Sequence, residues 1–224
     1  QSAKFQDLSE LMRSGLDLGD EFKAPGAPLA QRRILEASPD NKRRSRRLSD
    51  NGSAADRVYL HSWYLMGPFP WGASDGLSKV WPPERNINLD DRYVGKGGDL
   101  LRWRFYQSTG YPYIPPPAAE MAVYYAYTEV MSDRPRDVWL ALGSDDNGKL
   151  WVNDQLVWQS NSRSKPWYGR GGYRYFPRLN KHWNLTESYR RVHLDKGANR
   201  FLFKLTNRDR EYFMSVVLVS DRPG

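Results

Sequence analysis

Few residue types in this chain are equipped for covalent or acid–base chemistry. There is no cysteine, and there are three histidines: His61, His182 and His193. Without cysteine there is no disulfide framework, no thiolate metal site and no thiol nucleophile. His61 and His193 sit inside alternating, strand-like patterns, where an imidazole more commonly serves structure or surface than base catalysis. The chain has no G-x-S-x-G elbow, no H-E-x-x-H and no phosphate-binding glycine loop. Glycoside hydrolysis needs two carboxylates facing one cleft. Glu84, Glu120, Glu129, Glu187 and the consecutive pair Asp145-Asp146 are available, and nothing in their spacing selects two of them. The residue types therefore point to holding a ligand rather than turning one over. The densest polar cluster is Ser144-Asp145-Asp146-Asn147-Gly148. It is good turn chemistry, because short Asp and Asn side chains bond to their own backbone.

The elements that position this cluster are strands. Val138, Leu140 and Leu142 alternate with Trp139 and Ala141, the period-two pattern of a half-buried strand. Gly143 to Gly148 breaks the pattern, and Leu150, Trp151 and Val152 resume it. Asn153-Asp154 suits a two-residue hairpin turn, because both residue types tolerate positive φ. Gln155–Trp158 then reads as the return strand.

The same pattern extends in both directions. Val58–Leu60 with Trp63–Met66 reads as one strand ending at Gly67-Pro68. After a long turn-rich loop come Leu100–Tyr106 and Met121–Val130. Val192–Leu194, Arg200–Leu205 and Tyr212–Val219 complete roughly eight or nine strands, which predicts an all-β antiparallel sandwich of jelly-roll type. Gly110–Pro117 reads as an extended, polyproline-like connector. Its rings suit either a ligand platform or packing against the sandwich edge. Ser160–Trp183 is a long insertion rich in glycine, arginine and rings, and long loops of this kind are often functional.

Residues 1–56 read differently, as a mostly irregular or short-helical extension ahead of a sandwich domain spanning 57–224. Phe5, Leu8, Leu11 and Met12 fall at helical spacing, and Gln31–Ala37 suits a second short helix. Lys42, Arg43, Arg44, Arg46 and Arg47 form a dense basic run before a polar linker. That run suits partner binding through phosphate, sulfate or carboxylate groups, or simple solvation. No aromatic is interleaved to stack on bases, so nucleic acid ranks last as a partner.

Three separated segments also resemble a known family. Ser144-Asp145-Asp146 with Gly148, Trp151, Val152 and Asn153 resembles the central signature of PA14-like domains, the sugar-binding sandwiches attached to many bacterial glycoside hydrolases. Trp63 through Gly67-Pro68-Phe69, then Trp81-Pro82-Pro83-Glu84, resembles their opening motif. Lys196-Gly197, Asn199, Lys204 and Asn207 resemble their late strand. The likeness covers about residues 57–220. It implies a galactose-binding-like jelly roll in which an aspartate pair, here Asp145 and Asp146 with Asn147, holds Ca²⁺ that in turn holds sugar hydroxyls. Hard Ca²⁺ prefers such oxygen ligands, and Asn161 and Asn180 are further candidates. In many domains of this type the pair serves loop structure alone. Sugar contact needs flat rings and planar polar groups, which makes Trp158, Trp167, Tyr168, Arg170 and Trp183 the candidate platform. Trp139 and Trp151 read as structural strand residues, and Trp63 and Trp81 as fold residues.

Composition is compatible with this. Aromatic residues make up 14% of the chain, with nine Trp and fourteen Tyr, favouring β-structure. The formal charge of +8 suits anionic surroundings such as acidic polysaccharide, a membrane face or an acidic protein. No run approaches the ~18 apolar residues of a membrane span. The leading expectation is a secreted or periplasmic, non-catalytic carbohydrate-binding module with Ca²⁺ as its one candidate cofactor. The alternative is a structural or interaction subunit of a larger extracytoplasmic or membrane-associated assembly, strapped to partner proteins through residues 1–56.

Overall fold

The computed structural model describes residues 57–72, 76–108, 112–116, 119–160, 165, 185–209 and 212–219. The N-terminal extension with its basic run Lys42–Arg47, and Asn161, Trp167, Tyr168, Arg170, Asn180, His182 and Trp183, lie outside the described residues.

The described chain is an antiparallel β-sandwich. Its strands are β1 (Arg57–Tyr59), β2 (Ser62–Pro70), β3 (Arg92–Val94), β4 (Leu100–Arg102), β5 (Arg104–Gln107) and β6 (Ala122–Ser132), followed by β7 (Arg136–Asp145), β8 (Asn147–Val152), β9 (Gln155–Gln159), β10 (Ser188–Leu194), β11 (Gly197–Asn207) and β12 (Phe213–Val219). One sheet has the order β1-β12-β7-β10 and the other β5-β2-β6-β11-β8-β9, while β3 and β4 form a separate ribbon. The main core lies between the two sheets. Val138, Leu140 and Leu142 of β7 meet Leu150, Phe201, Phe203 and Leu205 across it. The alternate β7 residues Trp139 and Ala141 face outward into a small cluster with Val217 and Val219. Period-two alternation thus sorts β7 as its sequence predicts.

The predicted strand over 57–66 is two strands. The chain leaves the four-stranded sheet at Tyr59 and enters the six-stranded sheet at Ser62. β2 also continues past Gly67-Pro68 to Pro70, through a register irregularity between Met66 and Phe69. Leu100–Tyr106 likewise divides at Trp103: β4 pairs with β3, and β5 with β2. At the first break both halves bury apolar residues in the inter-sheet core, Val58 and Leu60 before it and Trp63 and Leu65 after it; at the second, Leu101 and Trp103 join the outer core while Phe105 is exposed.

Asn153 and Asp154 take φ of 48° and 68°, the left-handed pair that closes a tight hairpin. Buried Asn199 fixes this turn to the next. Its carbonyl oxygen accepts from Asn153 Nδ2 at 2.9 Å and from the Asp195 N–H at 2.8 Å. Its amide donates to the carbonyls of Asp195, Gly197 and Val130 at 2.9, 3.2 and 3.3 Å. Asn199→Ala orphans several buried groups at once and is expected to cost about 2–3 kcal/mol, read as a lower urea midpoint with an unchanged slope.

The outer face of the six-stranded sheet carries a second core. Met66, Phe69, Val123, Tyr125 and Tyr127 of β2 and β6 are covered by Leu101, Trp103, Trp81, Ile87, Leu89 and Tyr93 from the excursion between β2 and β6. Phe69 stacks on Trp81 with centroids 5.0 Å apart. This core takes in Leu202 of β11 and reaches Trp151 of β8, and a groove opens beside them.

Candidate functional site

The acidic segment predicted as an open loop is almost entirely strand. Asp145 ends β7 and pairs with Phe213, Asn147 begins β8, and Asp146 alone links them, through a cis Asp145-Asp146 peptide. Gly148 is required within it: a Cβ there would stand 2.6 Å from the Phe203 ring. The side chains point to a cation that the chain itself supplies. Lys165, 3% exposed, places its Nζ 2.6 Å from Glu187 Oε2 and donates to Ser160 Oγ. Ser160 Oγ also bonds to both Glu187 oxygens, at 2.8 and 3.1 Å, and lies 3.3 Å from Asn147 Oδ1. Burial lowers the Lys165 pKa, and Glu187, Asp145 and Asp146 oppose that shift by favouring the charged ammonium. Asp146 accepts the Arg208 N–H at 2.5 Å. Its carboxyl is pushed up by burial, opposed by that bond.

These residues do not fit a resident Ca²⁺. Glu187 and Asp146 spend carboxylate oxygens on Lys165, Ser160 and Arg208, and a buried ammonium already stands in the field of the aspartate pair. Among the described residues no three His, Asp or Glu gather as a ligand set. Beside Asp145, Asp146 and Asn147, an ion pair between Lys165 and Glu187, bridged by Ser160 to Asn147, ties Lys165 of the insertion to the β7–β8 junction.

A second buried cation lies two residues along β11 from Thr206, the partner of Asn147. Lys204 of β11 is fully buried and donates to the carbonyls of Leu77 and Lys79 at 2.8 and 2.7 Å and to Glu84 Oε1 at 2.8 Å. Tyr125 OH donates to the same carboxylate oxygen. The Trp81-Pro82-Pro83-Glu84 motif is therefore a clamp: a short 3-10 turn whose glutamate anchors residues 77–84 onto the sheet.

That clamp makes one wall of the groove, a concavity of about 520 Å³ lined by Pro83 to Leu89, Tyr127, Glu129, Trp151, Asp154, Arg200 and Leu202. Strand register explains its floor. Tyr127, Leu202 and Trp151 lie side by side on β6, β11 and β8, and Glu129 sits opposite Arg200 in the next row. Tyr127 OH donates to Glu129 Oε1 at 2.6 Å. Burial, then this bond, pushes the Tyr127 phenol far above its usual value, so it remains a donor. Arg200 pairs with Asp154 at the rim. Half-buried Trp151 packs against the second core and lines the groove at the β8 end of this row.

Of the residues expected to touch sugar, Trp158 is excluded from that role. It is 3% exposed and packs into the inter-sheet core against Phe203, with centroids 5.8 Å apart. Alternation puts Trp158 on the inner face because its partner across β8–β9 is Leu150. The groove residues were open to the same logic. Trp151 is out of phase with Leu150 and Val152, so it must face outward. Trp63 is buried with Nε1 bonded to the Leu60 carbonyl at 3.0 Å, a fold residue as read. In the connector, Tyr113 packs into the core and pairs its backbone with Met214, which favours packing over a ligand platform. His61 is buried beside Tyr59, and exposed His193 pairs with Asp137 at 2.8 Å; neither imidazole lines the groove.

Fold and site together define an antiparallel β-sandwich with an aromatic-floored polar groove on its larger sheet. In comparisons with known proteins, no family model and no curated protein matches the chain.

Proposed function

We propose that this chain is a non-catalytic carbohydrate-binding sandwich of the PA14-like kind, acting outside the cytoplasm, and that it holds glycan in the groove over Tyr127, Leu202 and Trp151. The observation that carries this reading is the meeting of a half-buried indole with planar polar groups in one concavity. Pyranose rings present apolar faces that lie on aromatic surfaces and hydroxyl edges that bond to carboxylates, amides and guanidinium groups. Glu129, Asp154, Arg200 and the amides of Asn86 and Asn88 supply those partners. The volume falls within the ~300–1,000 Å³ of ligand sites. Binding on this reading needs no Ca²⁺, because the groove residues themselves supply the polar partners.

Titration of soluble polysaccharides followed by tryptophan fluorescence and calorimetry tests it. Trp151→Ala is expected to weaken binding by about 30-fold or more, the loss of a central aromatic anchor. Glu129→Gln is expected to weaken it less, with melting unchanged. Wild-type affinity in Trp151→Ala would remove the groove from the account. The second reading, an interaction subunit of a membrane-associated assembly, has separate support in the exposed ribbon β3–β4.

A further inference from the structure

The ribbon β3–β4 has two unlike faces. Tyr93, Leu101 and Trp103 point inward and join the second core. The outward face is set by register: Arg92 lies directly opposite Arg102, and Val94 directly opposite Leu100. Arg104 is exposed just beyond. Val94 is 67% and Leu100 63% exposed, the highest values among the large apolar side chains described. Like charges directly across a strand pair are unfavourable, and no ion pair engages Arg92, Arg102 or Arg104 among the described residues. Asp99 at the turn is the one acid between positions 92 and 102.

We propose that this face docks on an anionic lipid surface. The order of the side chains is the reason. The aliphatic pair lies at the turn end of the ribbon and the opposed arginines one row behind it. When the tip enters an interface, Val94 and Leu100 reach the acyl boundary while the guanidinium groups stay level with the phosphates. A soluble polyanion would use the arginines and leave the aliphatic pair in water. The ribbon is held in place for this: Lys96 of the turn donates to the Glu120 carbonyl at 2.5 Å, and Gly95 and Asp99 close the turn with a 2.7 Å backbone bond.

The test is co-sedimentation of the full chain with vesicles of phosphatidylcholine alone and of phosphatidylcholine mixed with phosphatidylglycerol. Wild type is expected to bind the anionic vesicles, and added salt to weaken that binding. A Val94→Ser/Leu100→Ser variant and an Arg92→Ala/Arg102→Ala variant are each expected to lose about tenfold or more in partitioning. Both are expected to melt as wild type and to keep groove binding, since neither pair is in either core. Three outcomes overturn the proposal: no binding to anionic vesicles by wild type, full binding by either variant, or dextran sulfate binding that matches vesicle binding and ignores Val94 and Leu100. Full binding by the arginine variant would leave the basic run at Lys42–Arg47 as the charge responsible.

Discussion

Lys204→Met is expected to destabilise the sandwich by about 3–5 kcal/mol, the cost of stranding a buried carboxylate by removing its partner. The substitution keeps most of the side-chain volume, so packing is not the main loss. What goes is the donor to Glu84 and to the Leu77 and Lys79 carbonyls. Glu84 then remains under the clamp with Tyr125 OH and an uncompensated charge. A domain has roughly 5–15 kcal/mol in total, so the melting temperature should fall by about 10 °C or more. Adding Glu84→Gln removes the stranded charge and should recover part of the loss. That positive coupling in a double-mutant cycle distinguishes the ion pair from simple packing. A groove wall built on this clamp should loosen with it, so glycan binding is expected to weaken in Lys204→Met although Lys204 does not line the groove. A urea midpoint within error of wild type would mean that the clamp contributes nothing.

Lys165→Gln should have two separable effects. The first is destabilisation of about 3 kcal/mol, because Glu187 and the aspartate pair lose their internal cation. The second concerns metal. Wild-type melting is expected to be indifferent to millimolar Ca²⁺ and to chelator. In Lys165→Gln the vacated acidic pocket is expected to take Ca²⁺, and the ion should raise the melting temperature by mass action, worth about 2.7 kcal/mol at a hundredfold excess over Kd. Lys165→Arg keeps the charge and should show no calcium response. Calcium-dependent melting of the wild type would overturn the internal-cation account and restore Asp145, Asp146 and Asn147 as ligands.

The three motifs that resemble PA14-like modules acquire physical meanings in the structure. The Trp81-Pro82-Pro83-Glu84 segment supplies the carboxylate that Lys204 of the late strand requires. Asn199 of that strand ties down the turn formed by Asn153 and Asp154. These residues are separated by more than a hundred positions in the first case and by forty-six in the second. These pairs belong to scaffold networks, and the groove lies beside them, lined by motif residues such as Glu84 and Trp151 together with Tyr127 and Glu129 from outside the motifs.

The sequence by itself determined what depends on neighbouring residues. Alternation in Val138–Leu142 assigned the two faces of β7, and Asn153-Asp154 marked a turn because those side chains tolerate positive φ. Tertiary structure decided what depends on distant pairing. It moved the chain between sheets after Tyr59 and at Trp103, though the apolar pattern runs through both breaks. It covered the face that carries Trp158 with the second sheet and left a groove beside the face that carries Trp151. It brought Lys165 to Glu187 and Lys204 to Glu84, and no local signal marks either lysine as buried. Alternation says which residues share a face. Only the packing of other segments says whether that face meets a core, a cation or an open groove.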